Sequence, residues 1–185
     1  MGQTYPARPF LLAFEDTGNF DTQSRPMSNR IIRIVIAASL ALAVSFSAWA
    51  DFTGKVVGVT DGDSITVLRD RVQVKVRLVD IDAPEKAQPF GNRSKQALEA
   101  LVKGQEVRVV ERGQDRYHRA LGRIYRGDLD VNAEQVRQGM AWVFRKYSKD
   151  ASLDPIEAGA KEQRRGLWRE ANPVAPWVWR KSQSH

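Results

Sequence analysis

From Phe52 onward apolar and polar residues alternate in three closely spaced runs rich in Val, Ile and Thr: Phe52 to Thr60, Ser64 to Leu68 and Val72 to Ile81. Period-two alternation places successive side chains on opposite faces of a strand, and the separators Asp61-Gly62-Asp63 and Arg69-Asp70-Arg71 carry turn chemistry. The chain therefore opens its folded part with an antiparallel meander. In the third run Val72, Val74, Val76 and Leu78 alternate with Gln73, Lys75 and Arg77, but beyond it the apolar positions are Val79 and Ile81 and the polar ones Asp80 and Asp82. The alternation slips by one residue at Leu78-Val79. Such a slip predicts a β-bulge or local bend, and it puts Arg77 and Asp82 on one face.

The period then changes. Gly91 to Val102 sets Ala97, Leu98, Leu101 and Val102 near helical spacing, with Gly104 just beyond as a closing glycine. Gln105 to Glu111 and Leu121 to Arg126 read as two further strands around a charged loop, Arg112 to Ala120. Asn132 to Gly139 predicts a short helix capped by Asn132, and Pro155 to Arg165 another, with Gly166 after it. The order βββαββαα suits an α+β fold that is mainly β: a five-stranded Greek-key barrel of OB type with about three packed helices. Trp142, Phe144, Trp168, Trp177 and Trp179 are expected in core or helix-docking positions.

The start of the chain has a different character. Residues 27–50 run from Met27 through basic Arg30 and Arg33, an apolar stretch from Ile34 to Phe46, and Ala48-Trp49-Ala50 before Asp51. This is the pattern of a secretory signal peptide cleaved after Ala50, which predicts a secreted or periplasmic protein with no stable membrane association after cleavage. Residues 1–26, with three prolines and no sustained period, read as a disordered or mistakenly included upstream extension. Residues 51–170 are then the folded domain. Residues 171–185, with Pro173, Pro176 and a closing Arg180-Lys181, are expected as an extended tail docked through its tryptophans and then fraying.

Of the 185 residues, 29 are Lys or Arg and 22 Asp or Glu, a formal charge of +7. Only four arginines and three carboxylates fall in residues 1–50, so the exported part stays basic and favours polyanionic partners. The chain has no cysteine, which excludes disulfides, thiolate metal sites and cysteine nucleophiles. His118 and His185 are its two histidines, and neither has a partner at ligand spacing for zinc.

The candidate chemistry lies in the acidic loops. Asp63 ends the first turn, while Asp82 and Glu85 flank Pro84 at the end of the third run, with Arg77 just ahead. Two like charges about 4 Å apart repel by roughly 4 kcal/mol at an effective dielectric near 20. These carboxylates can share a pocket only around positive charge, and oxygen ligands suit calcium or magnesium. Arg119, in Asp115-Arg116-Tyr117-His118-Arg119, is a second guanidinium able to grip a phosphate bidentately. Such a constellation can hold a cation, take a proton from water at Glu85 and stabilise a phosphorane-like charge with Arg77 and Arg119. The rival reading is a non-catalytic OB-fold module that binds nucleic acid through its basic surface.

Taken in order, Asp61-Gly62-Asp63-Ser64, the run from Val76 to Glu85, Asp115 to Arg119, Val131-Asn132, Gly139-Met140-Ala141 and Arg165-Gly166-Leu167-Trp168 resemble the staphylococcal nuclease (thermonuclease) family. The likeness runs from about Phe52 to Trp168. It implies an OB-fold barrel and a calcium-dependent phosphodiesterase acting on DNA and RNA that cleaves the P–O5′ bond and leaves 3′-phosphate ends; nothing in the chain requires more than a monomer. It implies calcium, ahead of magnesium, held by Asp63, Asp82 and the backbone carbonyl of Ala83. It further implies Glu85 as the catalytic base, Arg77 and Arg119 as phosphate-contacting catalytic residues, and Tyr117 and Tyr147 in the nucleotide pocket. His118 stands where the family usually has glycine, and Arg145 at one of its aromatic positions.

Overall fold

The computed structural model describes residues 51–184. The upstream extension and leader expected in residues 1–50 lie outside the described residues. Strands β1 (Phe52–Asp61), β2 (Ser64–Arg69) and β3 (Val72–Leu78) form the expected meander. The β2–β3 turn is made by Asp70 and Arg71, both left-handed (φ 47° and 69°), the twist that a two-residue hairpin turn needs. β5 (Glu106–Gln114) pairs antiparallel with β1 and with β6 (Ala120–Arg126), and β6 pairs parallel with β3. These pairings close a mixed five-stranded barrel of OB type. β5 runs three residues further than its alternation suggested, with a register shift at Gly113 that carries it through the charged segment.

The barrel interior holds Val56, Ile65, Val67, Val76, Leu78, Val107, Val109 and Ile124, all at most 1% exposed. Burying an aliphatic side chain of this size contributes about 1.5–3 kcal/mol, so this layer dominates the stability. Helix α1 (Gly91–Val102) faces it with Ser94, Leu98 and Val102, a buried stripe at helical spacing. Helix α2 (Val131–Arg137) follows the two-residue strand β7 (Leu129–Asp130). Its cap is Asp130, whose carboxylate accepts from the Ala133 amide at 3.0 Å, and not the expected Asn132. Asn132 is fully buried inside the helix: it accepts from the Ile124 amide at 3.0 Å and donates to the Val79 carbonyl at 2.8 Å. That role ties the helix to the barrel mouth.

The slip at Leu78-Val79 is a break in the strand. β3 ends at Leu78, Asp80 takes a left-handed turn (φ 67°), and a new strand, β4 (Ile81–Asp82), pairs with β8 (Trp142–Val143). A left-handed aspartate is unfavourable alone, but its buried carboxylate is held by Arg112 at 2.8 Å and Arg123 at 3.3 Å. Helix α3 spans Leu153–Glu162, beginning two residues earlier and ending three earlier than Pro155 to Arg165, and a short 3-10 turn follows at Gly166–Arg169. The tail is not extended. It folds into a helix, α4 (Pro176–Ser182), with Pro176 at its first position. Among the tryptophans Trp168 is buried and Trp142 packs edge-on against it, whereas Trp177 stays 36% exposed. Among the described residues no helix is long and apolar enough to cross a membrane.

Candidate active site

Two close approaches bring the acidic loops together. Gly62 lies against α1, where an added Cβ would sit 1.8 Å from the Ser94 hydroxyl, and Gln135 of α2 donates to the Gly62 carbonyl at 2.7 Å. Gly91, which opens α1, presses on the Glu85 backbone, 1.9 Å from the Glu85 carbonyl oxygen to any Cβ. Side chains at 62 and 91 would push the Asp63 and Glu85 loops off the same helix.

Asp63 is buried at the start of β2, and its neighbour Ser64 pairs across with Arg77 of β3. The Arg77 guanidinium forms an ion pair with Asp63 and donates to Asp82 Oδ1 at 2.8 Å. Asp82 is 1% exposed and reaches this point because of the turn at Asp80. Asp63 Oδ2 also accepts from the Ala83 amide at 2.5 Å, linking the two loops directly. Burial pulls the Arg77 guanidinium below its ordinary pKa, opposed by Asp82 and Asp61 and reinforced by the like charge of Arg119.

Arg119 approaches from the start of β6. Its Nη1 donates to Ser64 Oγ at 3.3 Å, and Ser64 in turn donates to Asp63 Oδ1 at 3.3 Å. Asp115 fixes it, accepting from its Nε at 2.7 Å and its amide at 3.0 Å. Burial raises the Asp115 pKa, but hydrogen bonds from Arg119 and the Tyr117 amide outweigh this and hold it below the usual carboxylate value. His118 adopts φ 60°, the left-handed conformation that glycine accepts freely, so the loop keeps a glycine-like path with histidine in place. Tyr117 and Tyr147 are 63% and 66% exposed. Tyr117 lies beside Arg119, and Tyr147 packs edge-on against Phe144. Arg145 is committed to ion pairs with Asp154 and Glu157, at 2.7 and 2.8 Å.

Glu85 stands at the rim with its side chain 40% exposed. The Gln88 side chain accepts from its amide at 3.1 Å and donates to the Val174 carbonyl at 2.6 Å. Glu85 meets the other acids through a residue that sequence reasoning missed: Arg180 of α4 donates to Glu85 Oε1 at 2.8 Å and to Asp82 Oδ2 and Oδ1 at 2.8 and 3.2 Å. The sole sign of it in the sequence was an arginine three residues after Trp177 on a helix begun by Pro176. Among the described residues no three carboxylates or histidines converge as a closed metal-ligand set, because guanidinium groups stand between them.

A profile described as "Staphylococcal nuclease homologue" matches residues 75–170. A relative named "Micrococcal nuclease" from Shigella flexneri is 45% identical over 161 residues, covering 81% of this chain and 92% of that one. The chain belongs to the staphylococcal nuclease family. An "Uncharacterized endonuclease" of Escherichia coli O157:H7 is 47% identical over 132 residues, 71% of this chain and 86% of that one. A similarly named protein of Haemophilus influenzae is 38% identical over 158 residues, 85% and 89% of the two chains.

As a member of the staphylococcal nuclease family the chain is a nuclease, a hydrolase whose substrate is nucleic acid. The contacts form one continuous path from Arg119 through Ser64, Asp63, Arg77, Asp82 and Arg180 to Glu85. Asp63, Arg77, Asp82, Glu85 and Arg119 lie on that path and the Ala83 amide touches it at Asp63, whereas Arg145 is turned to Asp154 and Glu157.

Proposed function

We propose that the chain is an exported, monomeric, calcium-dependent nuclease that hydrolyses phosphodiester bonds of DNA and RNA and leaves 3′-phosphate ends. The observation that carries this reading is the meeting of Asp63 and Asp82, from two separate loops, on the single guanidinium of Arg77. Carboxylates drawn that close need positive charge among them, and their all-oxygen donor set fits a hard cation. Asp63, Asp82 and the Ala83 carbonyl would hold calcium, which when bound supplies Lewis-acid stabilisation of phosphate charge.

This chain's own residues supply the rest. Glu85, at the rim and open to solvent, takes one proton from the attacking water as its oxygen bonds to phosphorus. The P–O5′ bond breaks, and the leaving oxygen takes a proton from solvent. Arg77, held from beneath by two carboxylates, and Arg119, held by Asp115, present guanidiniums to the charge that builds on the phosphoryl oxygens. The exposed rings of Tyr117 and Tyr147 are available to stack on bases or riboses. A barrel that only bound nucleic acid would gain nothing from buried carboxylates that repel its ligand.

Digestion of labelled single-stranded DNA and RNA by residues 51–185, in calcium and in chelator, tests the reading. Cleavage in calcium, none in chelator, and products with 3′-phosphate ends are expected. Equal cleavage in chelator would remove the metal, and 5′-phosphate ends would remove the assigned bond.

A further inference from the structure

The cation that bridges Asp82 and Glu85 here is part of the chain. Asp82 Oδ1 accepts from both Arg77 and Arg180, and its Oδ2 accepts from Arg180 as well. A carboxylate offers about four lone-pair sites, so three of those on Asp82 are taken. One oxygen of Glu85 is engaged by the same guanidinium. An arginine guanidinium is not deprotonated in proteins, so Arg180 is a permanent cation on these oxygens.

The placement of Arg180 follows from how α4 is seated. Trp177 stacks on Phe144 (5.3 Å between ring centroids, 9° between planes) and meets Trp142 edge-on at 5.8 Å. Trp142 is the strand partner of Asp82. Just before the helix, Val174 is bound by Gln88, the residue that also holds the Glu85 amide. The tail thus docks on the two elements that carry the acids, and Arg180, one turn beyond Trp177, lies over them. Asp63, Asp82 and Glu85 against Arg77 and Arg180 leave one unit of negative charge, and exchanging Arg180 for a divalent ion brings the sum to zero.

Resting on the proposed calcium site, we propose that Arg180 is a tethered competitor for it. In the metal-free protein its guanidinium occupies the oxygens of Asp82 and Glu85, and a divalent cation binds only as that guanidinium withdraws. The C-terminal helix therefore sets the calcium concentration at which the general base and the metal ligand become available.

Calcium titration by calorimetry on the full exported chain, wild type against Arg180→Gln, provides the test. Arg180 is exposed on a terminal helix, and circular dichroism verifies that the variant is folded. At least tenfold tighter calcium binding is expected for Arg180→Gln, with Arg180→Lys in between. In the wild type, the guanidinium proton signals of Arg180 should lose protection from exchange as calcium is added. Equal or weaker affinity in Arg180→Gln, or an Arg180 signal that calcium leaves unchanged, overturns the competition while the calcium site stands. Absence of binding heat in both proteins overturns the calcium site itself and this proposal with it.

Discussion

Arg77 is the residue on which the site is assembled. Its planar fork holds Asp63 and Asp82 at once, which the point charge of a lysine cannot reproduce. Arg77→Lys should lower kcat by about 10²–10³, the usual loss for a stabilising donor, with little change in melting temperature. A rate within a few-fold of wild type would show that the fork is dispensable. Asp63, Arg77, Asp82 and Glu85 were legible because turn chemistry and a slipped alternation set them in two short segments. Arg180 was not, because its contacts reach back 95 and 98 residues and depend on where an aromatic cluster seats the tail. Asn132 was misread for a related reason: its side chain satisfies buried backbone groups from two other segments, which local capping rules do not see.

At the scale of elements, β8 and α3 support the acid-bearing strand β4, and Glu157 joins them. Its carboxylate, 1% exposed, accepts from the Val143 amide at 2.9 Å, from Arg145 at 2.8 Å and from Lys161 at 2.7 Å. Burial raises its pKa, but these hydrogen bonds outweigh burial and leave it below the usual carboxylate value. A depressed pKa in the folded state gives stability that is complete above the ordinary carboxylate pKa and lost as pH falls through the folded one. Glu157→Gln should therefore cost about 1.5–3 kcal/mol at neutral pH. The gap in melting temperature between the two proteins should close as pH falls through the depressed folded-state value, and a gap independent of pH would refute the charged role. The meander and α1 were readable from period alone. The pairing of β4 with β8 was not, since two strands of two residues each carry no period and join segments 60 residues apart.

For the molecule as a whole, basic charge concentrated in residues 51–185 favours a polyanion at every approach. Binding of single-stranded DNA, measured on a cleavage-deficient Glu85→Gln protein, should weaken as salt rises. A log–log slope steeper than about 0.7 is expected, the value for one neutralised phosphate; a shallower slope would confine the contact to a single phosphate. The closed barrel was foreseeable from strand order, whereas the docked tail helix was obscured by prolines that also suit an extended chain. On the proposed reading, barrel, loops and tail together set Glu85 where it takes a proton from the attacking water. The most direct test is the single-turnover rate of DNA cleavage by Glu85→Gln in saturating calcium, with folding and DNA affinity checked on the same sample. A fall of about 10² or more with affinity retained is predicted, and a rate near that of the wild type would contradict the account.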